Sequence, residues 1–489
     1  MKPTVFTALV DLLPEAVLLL GALACLVLAA TRRRTAITTY QVIAGASLLA
    51  ATGMNFAYLR GMPVRAADPG YLAFGGGLVV DRFTLYLTAT LCAFAFLTVL
   101  LGTLLSERIR THVGEYHAFL LLATLGAVLL VSTREMISLW VAVELLGVSL
   151  VLLVGTVKTS RLGGEAAVKQ LVLGIAGSAI LLYGLALLYG LGGSTDLVEV
   201  ARTATHANAA TALAMALVLI GLLGKVGLVP FQRLLPDVLQ GAPAPVAGLV
   251  ASLGVTAVFG LFLRVSATAF PAVRSNWTAL VALVAALSML YGSLLALRQR
   301  SVRRVVGHLA LAQLGVVLLG VLGQPQSSGV AAVMFALFSG GITVIAAAAA
   351  ITLVEAAGTP DTVAGYQGLS RRSPGAAAAL SLSVVSLAGL PPLVGFFGRL
   401  LTMQAAVQAG YAWLLVVALV ATVLGAVAAV RIVRAVFAAA PDEDALPLEE
   451  PAPARAALTV CGVAVIGLAA AVQPLLALAS GGAGAVVPH

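Results

Sequence analysis

Residues Gly221–Val246 read GLLGKVGLVPFQRLLPDVLQGAPAPV. An apolar helix carries a single lysine, Lys225, and five residues later Pro230 interrupts it. Pro236-Asp237 and Gly241-Ala242-Pro243 then make a rigid, partly polar re-entry. A cation and freed backbone groups are costly in hydrocarbon unless they line protein or a water-filled cavity. The stretch therefore predicts an ion or proton path at a broken membrane helix. A lysine near a loop that snorkels to the interface would give the same local pattern.

The rest of the chain supports the membrane reading. Of 489 residues 61% are hydrophobic and only 10% charged, with a mean hydropathy of +1.09. Apolar runs of eighteen or more residues recur, as expected of a polytopic helical membrane protein. The net charge of +9 does not argue for nucleic acid, because the arginines sit in short loops between apolar runs, where membrane topology explains them. Cys25, Cys92 and Cys461 are far apart in apolar segments, which excludes a disulfide framework or an iron–sulfur site. No G-x-G-x-x-G loop or metal-ligand cluster is legible, so neither a bound cofactor nor a metal is expected on this chain.

Fourteen spans are predicted, at about 12–30, 38–59, 78–105, 115–132, 135–157, 165–190, 209–234, 244–268, 276–297, 303–322, 328–355, 374–409, 411–438 and 456–478. The first is no cleavable signal, since Arg32-Arg33-Arg34 follows the apolar run. That cluster places the first loop inside and the N-terminus outside. Alternate loops then carry Arg108, Arg110, Lys158, Arg161, Arg233, Arg298, Arg300, Arg303, Arg304, Arg371, Arg372, Arg431, Arg434 and Arg455. The opposite side has Lys2, Arg60, Arg65, Arg82, Arg134, Arg202, Arg264 and Arg274. The asymmetry fits fourteen spans with both termini outside.

The seventh span breaks at Pro230 and the twelfth at Pro391-Pro392, within SLAGLPPLVGFFGRL (Ser386–Leu400), which also holds Arg399. Breaks five spans apart imply two five-helix units of opposite topology, the inverted repeat of transporters. The predicted division is a three-helix segment over 1–114, a translocating unit over 115–438 (repeats about 115–270 and 276–438), and an acidic inner loop with a last helix over 439–489. The run from Asp442 to Glu450 supplies five carboxylates, read as a solvated inner loop or a subunit contact.

Only four of 28 basic residues are lysine: Lys2, Lys158, Lys169 and Lys225. Arginine holds its proton, whereas a desolvated lysine can titrate, so the two lysines inside spans mark places where a releasable proton is wanted. Glu144 lies ten residues from Arg134 and fourteen from Lys158, near mid-bilayer at about 1.5 Å per residue. A carboxyl there is neutral or paired with a cation. Lys169 sits about two turns into the sixth span and either reaches toward Glu144 or anchors at the interface beside Glu165. Water-bridged, Glu144, Lys169 and Lys225 would form an acid–base chain on three consecutive spans, suited to a pump or antiporter.

LPEAVLLLGAL (13–23), VELLGVSLVLLVG (143–155), EAAVKQLVLG (165–174), GLLGKVGLVPF (221–231), LPDVLQGAPAPV (235–246), LLALRQRSVRRVVGH (294–308) and the Ser386–Leu400 stretch carry a resemblance. They resemble subunit N of the proton-pumping NADH:quinone oxidoreductase, respiratory complex I, within the Mrp-type antiporter superfamily. The resemblance covers nearly the whole chain. It implies a subunit of a bacterial cell-membrane translocase that couples electron transfer from NADH to quinone, on other subunits, to proton translocation. NADH, FMN, iron–sulfur clusters and quinone would be held by partners. The neighbours implied are the antiporter-like M subunit, the small J and K subunits, and the lipid bilayer. Glu144 and Lys169 would be a charge pair, Lys225 the broken-helix lysine, and Arg399 would stand where the family has a second-half lysine. The chain departs from the family's pattern at Gly254-Val255, where a bridging lysine is expected, and at Gln313 and Gln232, where histidines are expected. His308 compensates only partly. An Mrp-like Na+/H+ antiporter subunit and a non-conducting structural paralogue are the alternative expectations.

Overall fold

Side-chain caps mark where several helices begin. Glu135 accepts from Ser138 N at 3.1 Å, Ser160 from Gly163 N at 3.0 Å, Ser301 from Arg304 N at 3.1 Å and Ser373 from Ala376 N at 3.1 Å. Each satisfies an amide the following helix leaves without a partner. The computed structural model describes residues 12–31, 36–61, 71–106, 109, 112–203, 209–268, 274–324, 326–439, 447–448 and 450–486. Lys2, Arg32-Arg33-Arg34, Arg65, Arg108, Arg110 and most of the acidic run, Asp442 to Asp444 and Glu449, lie outside the described residues.

The chain is an all-α polytopic membrane bundle. The first six spans are α1 (Leu13–Thr31), α2 (Ile37–Gly61), α3 (Arg82–Ser106), α4 (Val113–Ser132), α5 (Met136–Val154) and α6 (Arg161–Gly192). The seventh is split into α8 (Ala209–Lys225) and α9 (Leu234–Gly241), after a short α7 (Leu197–Thr203) in the preceding loop. Then come α10 (Ala244–Thr268), α11 (Arg274–Arg298), α12 (Val302–Leu322) and α13 (Ser327–Ala356). The twelfth is split into α14 (Pro374–Ala388) and α15 (Val394–Gln408), and α16 (Trp413–Phe437) and α17 (Ala452–Ala470) follow. With each broken pair taken as one crossing, the predicted fourteen spans are all present.

Several predicted boundaries shift, the seventh span running on to Gly241 and the fourteenth beginning at Ala452. The third span starts at Arg82, because Leu78–Val80 pairs with Tyr71–Ala73 in a small hairpin, β1–β2. The sixth begins a turn earlier, at Arg161. The fourteenth stops at Ala470 and is followed by a separate α18 (Val472–Val486). Pro474 supplies no N–H for a helical bond four residues back, so the helix cannot run through.

Helices α10, α12 and α13 are buried almost throughout. Apolar side chains point outward instead on α1, α5, α6, α16 and α17, among them Leu20, Val141, Val172, Val423 and Val463. A bundle apolar outside as well as inside matches hydrocarbon as its solvent.

Loops pair in keeping with the span parity. At one end Leu78 bridges Thr133, Glu135 bridges Asp196, and Arg134 binds Asp196 at 3.0 Å. Burial raises the Asp196 carboxyl, but the Arg134 guanidinium and the Val198 and Glu199 amides outweigh it and leave the group below the usual carboxylate range. At the other end Ser301 donates to Asp361 at 2.5 Å, Gly368 N to Ala438 O at 3.1 Å and Leu448 N to Arg372 O at 3.0 Å.

The eighth span, α10, is held at both ends. Arg264 binds Asp81 at 2.9 and 3.1 Å, Thr84 at 2.7 Å and Val131 O at 3.0 Å, and packs over Phe83. At the opposite end Ala244 N donates to Glu355 at 3.1 Å, and Arg303 joins Glu355 at 2.5 Å and Ala242 O at 3.1 Å. Between these clamps Val250–Gly254 winds as a π-helical segment.

Candidate functional site

Both broken helices stop in the same way. Gly227 and Gly389 take left-handed backbone, φ 73 and 80. Gly227 N bonds Gly224 O and Leu228 N bonds Leu223 O; Gly389 N bonds Ser386 O and Leu390 N bonds Val385 O. This is the glycine-closed helix end, and it leaves the last carbonyls of each half satisfied inside the membrane. Three residues after each glycine comes a cis proline, Pro230 or Pro392. In this shared register Lys225 has Leu387 as its counterpart, and Asp237 has Arg399.

Lys225 is the last residue of α8 and points back at α5 and α6. Its Nζ lies 3.3 Å from Glu144 Oε1 and donates to Ser178 Oγ, which in turn donates to the same Glu144 oxygen. The lysine side chain is 10% exposed and the glutamate 35%, so the cation is the better sheltered partner. Small residues bring the helices together. A Cβ at Gly221 would meet Leu181 N at 2.7 Å, and one at Gly184 would meet Val218 N at 2.8 Å. Only glycine permits this approach of α6 to α8, and it carries Ser178 to the ammonium. The triad opens on a cavity of about 70 Å³ lined also by Gly147, Gln170 and Gly174 of α5 and α6. The space exceeds what a water needs, and polar partners are at hand.

Lys169 is not brought to Glu144. Its Nζ pairs with Glu165 at 2.7 Å and with Asp237 of α9 at 3.0 Å, and its side chain is 44% exposed. The interfacial alternative thus describes its Glu165 contact, while the Asp237 contact ties it to the re-entrant half of the seventh span. Asp237 also accepts from Arg304 at 3.0 Å, and Arg304 reaches Gln240 at 3.1 Å. A second polar cluster therefore sits beyond the helix break, joined to the first through one split span. Its centre, Asp237, belongs to the rigid, partly polar re-entry that the sequence predicts, where no cation is assigned to it. The Pro236-Asp237 pair was the available signal, since a carboxylate in a re-entrant segment needs a cation.

Arg399 is 3% exposed on α15. It donates to Gln313 at 2.6 Å, Thr422 at 2.9 Å and the Leu387 carbonyl at 2.5 Å. Among the described residues no carboxylate pairs with it. The second break thus has an arginine, fixed in charge, among neutral acceptors, where the first has a lysine paired with an acid. Gln313, standing where the resemblance implies histidine, serves as one of those acceptors. His308, a turn above Arg304, is 2% exposed, and neither ring nitrogen has a partner. Gln232 likewise has a buried oxygen without a partner.

Val255 separates the two halves. It lines the 70 Å³ cavity, and with Ala251 and Thr256 it lines a second of about 20 Å³ that reaches Gln313 and Leu387. Each space accommodates water. The wall between them is apolar where the resemblance implies a lysine. Among the described residues no group of three or more His, Cys, Asp or Glu side chains is placed to hold a metal.

Paired helix breaks in a fourteen-span bundle, with an acid–base triad at one of them, define an antiporter-like membrane protein. The chain belongs to the NADH:quinone oxidoreductase/Mrp antiporter, TM family, which matches residues 133–425. It is 36% identical over 422 residues to NADH-quinone oxidoreductase subunit N 2 of Acidobacterium capsulatum, covering 82% of this chain and 85% of the relative. Among solved structures it is similar to a chain of respiratory complex I from Thermus thermophilus with bound aureothin. That match has a TM-score of 0.79 and 30% identity over 96% of this chain and all (100%) of that one. A chain of the Mrp complex from Dietzia sp. shares the fold, with a TM-score of 0.83 at 22% identity, over 97% of this chain and 100% of that one.

Proposed function

We propose that the chain is a membrane-arm subunit, of the N type, in a bacterial NADH:quinone oxidoreductase. It couples electron transfer from NADH to quinone, carried out on partner subunits that hold FMN and iron–sulfur clusters, to proton translocation. The antiporter-like M subunit and small J and K subunits are its neighbours in the arm, and both termini face the outer side. Residues 115–438 form the translocating unit, framed by the first three spans and the C-terminal helices.

The observation that carries this reading is the Lys225–Ser178–Glu144 triad beside a cavity large enough for water. A proton held on Lys225 has a hydroxyl relay to a carboxylate, and the ion pair makes each group's charge depend on the other's. Charging or emptying the pair changes the balance at the helix break, which is how a distant event is coupled to a proton. Lys169 with Asp237 and Arg304 forms the inner end of the path, and Arg399 supplies fixed positive charge at the second break. The test is Lys225→Ala in the assembled complex. A lower proton-to-electron stoichiometry is expected, and an unchanged one refutes the reading.

The apolar wall at Val255 and the neutral partners of Arg399 favour a second reading, a subunit that assembles into the arm without conducting. Normal pumping by Glu144→Gln supports that reading. Lost pumping with intact assembly sinks it.

A further inference from the structure

Away from the triad, a cavity of about 420 Å³ lies where α2, α3, α13 and α18 meet. Its floor is α3, against which α2 and α18 both pack. Arg82, Tyr86 and Thr90 line it from one face of α3, four residues apart, so the polar groups descend by about 6 Å per step from the helix end. Asn55 faces them from α2. It is 5% exposed, and its Nδ2 has no partner. The Tyr86 hydroxyl is also buried without a partner. Leu85 lies beside Arg82 and Tyr86, and further along the wall Ala89 and Phe338 are apolar. Phe56 and Leu478, both more than half exposed, stand at the rim, so the cavity opens sideways between α2 and α18 toward the bilayer.

The volume is more than ten times a water's share of about 30 Å³, and the lining is mostly apolar, so water alone does not satisfy it. Its polarity runs from a guanidinium at the membrane face, through two unsatisfied donors, to hydrocarbon. The lining holds a cation and, among the described residues, no carboxylate. That sequence matches one amphiphile end on: phosphate, then ester carbonyls, then an acyl chain. We infer that this cavity binds an anionic phospholipid, with its phosphate at Arg82, its ester carbonyls at Asn55 and Tyr86, and a chain against Ala89 and Phe338. A bound lipid would fill the gap between the N-terminal helices and α18 and fasten the frame around the translocating unit. A quinone headgroup offers acceptors to the same donors but has no charge for the guanidinium, so the two ligands are separable.

The experiment uses the intact complex, purified in mild detergent and analysed by native mass spectrometry with lipid extraction. It is then stripped and re-loaded with phosphatidylglycerol or with phosphatidylcholine. Two variants accompany the wild type. Gly481→Leu fills the cavity, since an added Cβ there meets only the Arg82 guanidinium at 3.8 Å. Asn55→Leu removes a donor at nearly constant volume. The wild type should retain an anionic lipid and prefer phosphatidylglycerol on re-loading. Gly481→Leu should lose it, and Asn55→Leu should weaken re-loading about tenfold, the value of one hydrogen bond to a polar headgroup. Equal retention of both lipids, unchanged retention in both variants, or recovery of quinone in place of phospholipid overturns the inference. If Gly481→Leu fails to assemble, the wild-type lipid preference and Asn55→Leu decide.

Discussion

Ser178→Ala takes the hydroxyl out of the triad and leaves both charged partners in place. Ser178 is 6% exposed on α6, and its neighbours fix the helix approach through glycine backbone and not through its side chain, so the packing survives. What remains is the direct Lys225–Glu144 contact of 3.3 Å, at the long end of a hydrogen bond. In the native triad the hydroxyl accepts from the ammonium and donates to the carboxylate, so a proton can pass by two short shifts. Each of these bonds involves a charged group and contributes about 1.5–3 kcal/mol. Loss of one such interaction from the transfer step slows it about tenfold to a little over a hundredfold. The assay is NADH-driven proton uptake by inverted membrane vesicles, normalised to NADH oxidation, with Ser178→Thr as the variant that keeps a hydroxyl. The alanine variant should pump more slowly while the threonine variant pumps nearly normally. If the alanine variant pumps at wild-type rate and stoichiometry, the hydroxyl carries no proton and the relay argument fails.

Gly389→Ala should lower the thermal midpoint of the complex, since left-handed backbone costs an alanine about 1–2 kcal/mol and its Cβ would fall 2.2 Å from Arg399 Cδ. Gly358→Ala, also left-handed but with open space around it, should show the backbone cost alone, and equal shifts in the two would refute the clash. Arg264→Ala strands the Asp81 carboxylate in a buried site and should cost about 3–5 kcal/mol, seen as lost assembly. Asp81→Asn with Arg264→Gln should recover part of that loss, and no recovery would argue against an uncompensated charge. Because the Asp196 carboxyl sits below its unfolded value, its bond to Arg134 stabilises the loop above the usual carboxylate range and is lost as pH falls through the lowered value. Proteolysis of 193–203 should rise with acid in the wild type, whereas Asp196→Asn should be open at neutral pH and flat below it.

Much of this molecule was legible because mistakes in hydrocarbon are expensive. Lys225, Glu144 and the two proline breaks stand out in one dimension, since nothing else tolerates them inside a span. Span parity followed from arginine placement. Ser178 was not legible, because a serine in an apolar helix is cheap and its role depends on how closely Gly184 and Gly221 let two backbones approach. Lys169 and its neighbour Glu165 were legible, but its second partner, Asp237, was not. A long side chain two turns into a helix reaches several neighbours, and only the re-entry angle of α9 puts Asp237 in front of it. The counterpart of Lys225 at the second break is Leu387 and that of Arg399 is Asp237, an exchange visible only once both glycine-closed ends are aligned. The stop before α18 was encoded in Pro474, masked by the apolar residues around it. The hairpin at 71–80 was hidden by the same apolar character, since Leu78–Val80 looks like the start of a span.

The clamps on α10 have a mechanical consequence. A rod pinned at both ends by buried arginines neither slides nor tilts, so motion between the halves of the bundle is confined to its middle. The π segment stores one residue of slack there, and passing that slack one position along turns the side chains it crosses by about 100°. Val255 is the first residue beyond the slack. A quarter-turn there swings the valine off the partition and brings the hydroxyl of Ser252 or Thr256 round toward it. Such a shift would make the separating wall a rotary element instead of a plug. Its signature would be fast amide exchange over 250–255 with both ends of α10 protected, whereas uniform protection along the helix would mean that the slack is locked.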